Sequence, residues 1–186
     1  LPMGDATVAQ AVTDRTGITG EKMELDGYMV LEGATIAAYN HMNRNGLCTM
    51  VAFNKKVDEQ LAKQVAMQVA AMSPKYVSRD EVSQEYMEHE KEILLAQAKK
   101  ENPEKPENII EKMIIGRLNK EMKEICLLDQ VYVQDSDLTV AKYVDKVAKE
   151  NNANVTVKKF VRFETGEGLE KKVDDFAAEV AAQAGM

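Results

Sequence analysis

Apolar residues recur along this chain with two periods, and the points where the period changes mark out its elements. In residues 7–15, Val8, Ala11 and Val12 fall at helical spacing, and Gly17 closes the run. Over residues 22–31 the pattern alternates, with Met23 and Leu25 and then Tyr28 and Val30. That predicts a strand with an irregularity at Asp26-Gly27. Residues 34–42 and 47–54 are two further β-rich runs, separated by Asn43-Arg44-Asn45-Gly46. Asn-Gly between such runs is a strong hairpin signal, because both residues accept a left-handed backbone. Asp58 then caps a helix over residues 58–72, whose apolar face carries Leu61, Val65, Met67, Val69 and Met72, and Ser73-Pro74 stops it. Ser78-Arg79-Asp80-Glu81 has capping-box form and opens a short helical turn.

Residues 83–101 and 106–125 form two charged helices of similar length, with Asn102-Pro103-Glu104-Lys105 as the reversal between them. Tyr86, Ile93, Ala96 and Lys100 trace a narrow seam on the first; Ile110, Met113, Ile114, Arg117 and Leu118 trace one on the second. A narrow apolar seam with charges elsewhere predicts an antiparallel helical hairpin that projects from the body. Residues 127–133 read as an extended connection, and Thr139 caps a short helix to Glu150. A strand follows over residues 155–163, with Val155, Val157, Val161 and Phe163 on one face and Lys159 interrupting it. A final amphipathic helix covers residues 169–183. The sum is an α+β fold: a small antiparallel sheet covered by helices, with an inserted helical hairpin. The expected organisation is 1–82 for the first part of the body, 83–126 for the hairpin, and 127–186 for the remainder with a terminal helical module.

Composition narrows the function classes. A chain of 186 residues buries roughly 70% of its unfolded surface, enough for one good core. Hydrophobic residues at 45% and charged residues at 30% fit a soluble globular protein rather than a disordered one. The formal charge of −7 argues against a general nucleic-acid binder, which needs a basic footprint to release counterions. The longest apolar stretches, such as Ile93-Leu94-Leu95-Ala96, are too short to span a bilayer, and Leu1 begins no recognisable signal peptide. Without an initiator Met, the chain reads as a fragment or as a processed or edited chain. Cys48 and Cys126 lie far apart and read as buried reduced thiols of a cytoplasmic protein. With only His41 and His89 as histidines, a zinc site of the Cys/His kind is not expected.

No catalytic constellation emerges. Gly166 and Gly168 follow a strand and precede a helix, but the third glycine of a dinucleotide loop and the Lys-Ser/Thr of a P-loop are both missing. Glu167 would also set negative charge beside a phosphate, so a structural turn is the expectation. No Ser-His-Asp or Cys-His arrangement has local support. On the residues alone, His41 reads as a surface or half-buried structural histidine, and the helical hairpin as a solvated arm with docking as the alternative. No cofactor is called for, and function is to be sought in a binding surface.

Several stretches in one order carry a resemblance. They are Leu31-Glu32-Gly33 leading to Tyr39-Asn40-His41, Ala66-Met67-Gln68-Val69-Ala70-Ala71, Pro74-Lys75-Tyr76-Val77, Ile109-Ile110-Glu111-Lys112-Met113 with Gly116-Arg117, and Leu127-Leu128-Asp129-Gln130. The last is Val161-Arg162-Phe163-Glu164-Thr165-Gly166-Glu167-Gly168 with Phe176-Ala177-Ala178-Glu179-Val180-Ala181-Ala182. Together they resemble the elongation factor Ts family. The resemblance implies the C-terminal core subdomain of that family, with an inserted coiled-coil hairpin and the C-terminal helical module. It implies a guanine nucleotide exchange factor, not an enzyme, which binds elongation factor Tu and favours its nucleotide-free form. By linkage, a partner that prefers the empty GTPase weakens nucleotide binding by the same factor.

Carried over by position, the implied partner-binding residues are Thr19 and Gly20 after the first helix, His41 in a Tyr-x-His strand, and Val133 in a flanking strip. Three departures count. The Thr-Asp-Phe-Val motif that presses toward the magnesium site of the GTPase occurs nowhere here, the family's N-terminal half with its Thr-Gly-Ala-Gly and Met-Asp-Cys-Lys-Lys signature is missing, and Gln130-Val131-Tyr132 stands where the family has Gln-Pro-Phe. The implied role is therefore that of a docking part. The alternative is a non-exchange interaction or homodimerisation module; no direct nucleic-acid or membrane partner is expected.

Overall fold

The computed structural model describes residues 2–150 and 154–169. The predicted helix over 169–183 lies outside them. The chain divides into two compact units, Leu1–Val30 and Leu31–Met186.

In the first unit, β1 (Pro2–Met3) pairs antiparallel with β2 (Ala6–Thr7), which runs into α1 (Val8–Thr19). Thr7 and Gln10 form a reciprocal capping box that satisfies two of the free amides at the helix start. The helix runs through Gly17 and ends at Gly20, whose φ of 71° is left-handed and whose amide donates to Thr16 O. Sequence spacing put the end at Gly17. The fold chooses Gly20 because a left-handed residue there caps the last turn, whereas one glycine inside a helix weakens it without stopping it.

The strand expected over residues 22–31 does not form. Met23, Leu25, Tyr28 and Val30 alternate as a strand would, yet they are exposed and carry no ladder. Alternation supplies a face, but a strand exists only when another strand accepts its amides and carbonyls. Met23 N instead donates to the Thr16 hydroxyl.

The second unit is built on an antiparallel sheet of order β3–β4–β7: β3 (Thr35–Asn40), β4 (Leu47–Phe53) and β7 (Val157–Glu164). Odd-numbered residues of β3 and β4 face α2 (Glu59–Met72), which buries Leu61, Ala62, Val65, Ala66 and Val69 against them. Asp58 caps α2 by accepting from the amides of Gln60 and Leu61, and Ser73 closes it at φ 45°. Buried Thr49 donates its hydroxyl to Ala66 O at 2.8 Å, tying the central strand to the helix.

Val155, Val157, Val161 and Phe163 do not share a face. A bulge opposite Ala52-Phe53 shifts the β4–β7 register by one residue. Val155 and Val157 join the core beneath α2, while Val161 packs with Leu31, Ala52 and Met50 on the other side. A side-chain period of two makes a one-residue slip a change of face.

Gly33 runs close over β4. A Cβ there would lie 2.8 Å from Phe53 O and 3.1 Å from Ala52 Cβ. Gly33→Ala is expected to destabilise the protein by about 1–3 kcal/mol, the range for overpacking. A lower urea midpoint tests this, and an unchanged midpoint would show that residues 31–34 do not press on the sheet.

Two long helices, α3 (Gln84–Glu101) and α4 (Glu107–Ile125), form the antiparallel hairpin. The seam on α4 contains the expected Ile110, Met113, Ile114, Arg117 and Leu118. On α3 it is rotated: Leu94, Leu95 and Ala98 face α4, whereas Ile93, Ala96 and Lys100 are exposed. Ala98 decides the rotation, since a small residue lets Ile110 and Ile114 close on the helix. Across the seam Arg117 Nη2 lies 2.7 Å from Glu101 Oε2, and Tyr86 donates its hydroxyl to Glu121 at 2.8 Å. Burial, and then the Glu121 bond, push the Tyr86 hydroxyl well above the usual tyrosine range.

The base of the hairpin is held by Leu127 N to Tyr76 O and Leu128 N to Val77 O. Ser78 makes no side-chain cap; Glu81 reaches instead to Val77 N at 2.7 Å. The connection after the hairpin is not extended throughout. Leu127–Asp129 is a 3₁₀ turn, followed by a small hairpin of β5 (Val131–Tyr132) and β6 (Asp135–Thr139). Next comes α5 (Val140–Glu150), which buries Val140, Val144 and Ala148 in the main core and leads on to β7.

Candidate partner-docking site

Thr19 and Gly20 sit at the end of α1, in the first unit. The Thr19 hydroxyl donates to Arg15 O at 2.9 Å and accepts from Glu21 N at 3.3 Å, and both residues are exposed. A helix C-terminus rounded off this way offers a defined, solvent-facing corner.

His41 lies at the tip of the β3–β4 hairpin. The ladder ends at Asn40 opposite Cys48, and His41 opens a short 3₁₀ turn rather than extending the strand. Its Nδ1 is 3.1 Å from the Tyr39 hydroxyl, and the two rings meet edge-on at 6.0 Å. Tyr39 in turn packs against the core beneath α2. The imidazole is thus exposed but steered by a side chain that is anchored below it. Asn45 N donates to Asn40 Oδ1 at 3.0 Å, and the side chains of the two asparagines bond directly, which pins the two sides of the turn.

Val133 occupies the turn between β5 and β6, with Val131 beside it; both are about half exposed. What holds them is a pair of fully buried glutamines. Gln68 on α2 accepts from Val133 N at 2.9 Å and donates to Val131 O at 3.0 Å and to Gln130 Oε1 at 3.2 Å. Gln130 donates to Met72 O and Glu124 O, which joins the ends of α2 and α4 at one point. Beside them Tyr132 and Tyr143 stack at 4.2 Å and both donate to Gln64 Oε1. Burial raises both hydroxyls above their ordinary range.

The four sequence-derived residues therefore fall on three separate elements. Sequence reasoning missed Gln68 and Gln130 as organisers of the Val133 strip. The available signal was a glutamine in the middle of an apolar helix face.

Nothing else in the described residues converges on chemistry. A groove of about 240 Å³ at the hairpin base is lined by Arg79, Met87, Ile115, Leu118, Asn119 and Met122. Its two polar side chains are engaged, Arg79 bonding to Asn119 and to Asp129. Among the described residues no group of three or more His, Cys, Asp or Glu side chains could hold a metal ion. Glu167, in the Gly166–Gly168 turn, points its carboxylate at Arg162 Nη1 at 3.1 Å. Cys48 and Cys126 are unbridged thiols, the second buried. No helix among the described residues is long and apolar enough to cross a membrane.

The model of the elongation factor Ts family matches residues 1–167. The chain belongs to the elongation factor Ts family. An elongation factor Ts of Bacteroides fragilis is 49% identical over 217 aligned residues, covering 88% of this chain and 64% of that protein. Those of Syntrophotalea carbinolica and Clostridioides difficile are 45% and 44% identical, covering 98% and 95% of this chain and 61% and 59% of theirs. The chain thus spans less than two thirds of the length of these elongation factor Ts relatives. The family match stops at Glu167, before the C-terminal stretch that contributed to the resemblance read from sequence.

Proposed function

We propose that this chain is the docking part of a nucleotide exchange factor that acts in the cytoplasm on elongation factor Tu. The observation that carries this reading is the family match across residues 1–167. The chain grips the GDP-bound GTPase, favours its empty form and makes or breaks no bond, so its effect is on binding equilibria alone. Thr19, Gly20, His41 and Val133 are the proposed contacts. Each is presented outward by a locked local structure: a helix cap, a tyrosine-backed hairpin tip and a glutamine-clamped turn. No cofactor or metal takes part.

Release of a fluorescent GDP from elongation factor Tu tests the exchange step. This chain, whose sequence has no Thr-Asp-Phe-Val run, should bind elongation factor Tu while accelerating release only weakly. Full acceleration by this chain alone would overturn the assignment as a docking part. His41→Ala should weaken binding by about 1–2 kcal/mol, the scale of a genuine interface contact. Calorimetric titration reads this directly, and unchanged affinity would remove His41 from the interface.

A second reading, self-association, is favoured by the open face of the sheet, where Ile36 and Phe163 are 41% and 50% exposed. Light scattering with and without elongation factor Tu separates the two. A dimer that persists when elongation factor Tu is added favours self-pairing; a one-to-one complex favours docking.

A further inference from the structure

The β3–β4 tip carries three residues with left-handed backbone, Met42, Asn43 and Asn45, at φ 52°, 57° and 55°. Asparagine tolerates this region because its short side chain bonds locally, as Asn45 does with Asn40. Methionine has no such means, and glycine would adopt the same backbone without a Cβ penalty. Yet the Met42 side chain joins none of the buried clusters and is 67% exposed. A strained backbone position and a long apolar side chain held in water are both unfavourable within the chain. Strain of this kind persists where function needs it.

The surroundings give the partner's chemistry. Residues 33–57 contain no Asp or Glu, although the chain has 31 of them, and they contain His41, Arg44, Lys55 and Lys56. The nearest acidic residue across the ladder, Glu164 opposite Leu47, has its carboxylate on Arg162. At the tip itself the fixed positive charge is Arg44, exposed beside Met42, because Lys55 and Lys56 lie past Phe53 at the opposite end of β4; the protein as a whole is acidic. Methionine is enriched in interface cores, and its unbranched, polarisable thioether fits irregular pockets.

We infer that Met42 is the anchor of this tip, entering an apolar pocket on the partner whose rim carries carboxylates that meet Arg44. The inference rests on the docking role proposed above and names which side chain makes that contact selective. His41, backed by Tyr39, then flanks the anchor rather than leading it.

The test uses the whole chain with elongation factor Tu bound to GDP, and reads affinity by calorimetry and stability by urea unfolding. Met42→Gly should raise the urea midpoint, because it relieves the backbone, and should weaken binding about thirtyfold, the scale of an interface hot spot. Met42→Leu should keep affinity within about threefold, since it preserves apolar volume. Opposite signs in stability and binding are the signature of an anchor; a structural residue would lose both together. If Met42→Gly binds as tightly as the parent, or is less stable, the anchor is refuted. If His41→Ala weakens binding while Met42→Gly does not, the docking role stands and this inference falls. If neither changes affinity, the tip is not part of the interface and this inference falls, while the docking role falls only if the parent chain itself fails to bind.

Discussion

Phe53→Ala should destabilise this protein by about 3–5 kcal/mol, the cost of emptying a fully buried aromatic site. Among the described residues Phe53 is the largest wholly buried side chain, and it ends β4, where the bulge begins. Its ring fills the core cluster with Leu61, Val65, Val155 and Val157. Its backbone is occupied as well: Phe53 O accepts from Ala34 N at 2.9 Å. The site is therefore hemmed in by a helix on one side and by backbone on another, and can collapse little when the ring is removed. Urea unfolding should show a lower midpoint at unchanged slope. A loss below about 1 kcal/mol would mean that the core repacks freely, contrary to the tight approach of Gly33 on the same residue.

Gln68→Met should cost about 2–3 kcal/mol although it keeps the shape of the side chain. It leaves Val133 N–H, Val131 C=O and Gln130 Oε1 without their partner. A buried polar group stranded in this way costs about 1–3 kcal/mol, and half-exposed Val133 can recover part of that from water. The functional consequence is local. The turn that presents Val131 and Val133 loses its tie to α2, so amide exchange at Val133 should quicken more than exchange in β4. Uniform exchange across both would show that Gln68 supports global stability without positioning the strip.

Much of this architecture is legible in local pattern. The Asp58 cap and the Ser73-Pro74 stop bound α2, Asn-Gly marks the β3–β4 turn, Thr139 starts α5, and the two charged helices form the expected α+β insertion. The family resemblance, read from short ordered stretches, agrees with the match over residues 1–167. Other readings went astray where a local signal needed a distant partner. Residues 22–31 alternate but have no ladder, the seam of α3 turned onto Leu94, Leu95 and Ala98, and residues 127–133 folded into a turn and a hairpin. Among the proposed contacts, His41 comes from the family resemblance and not from its local chemistry. Gln68 and Gln130 lay within the stretches that carry the resemblance but with no sign of their clamping role, and Met42 carried no motif.

By itself the sequence determined where most caps and breakers fall and which residue types each helix face carries. Caps, breakers and periodicity act over four or five residues, so they are written into the chain directly. Only the tertiary structure decided which face meets what. The bulge at Ala52-Phe53, set by pairing between strands far apart in the chain, sends Val157 inward beneath α2 and Val161 to the opposite side. The same long-range closure turns Gln68 into the protein and leaves Met42 out in water. Such choices depend on contacts between distant residues, which no local pattern contains.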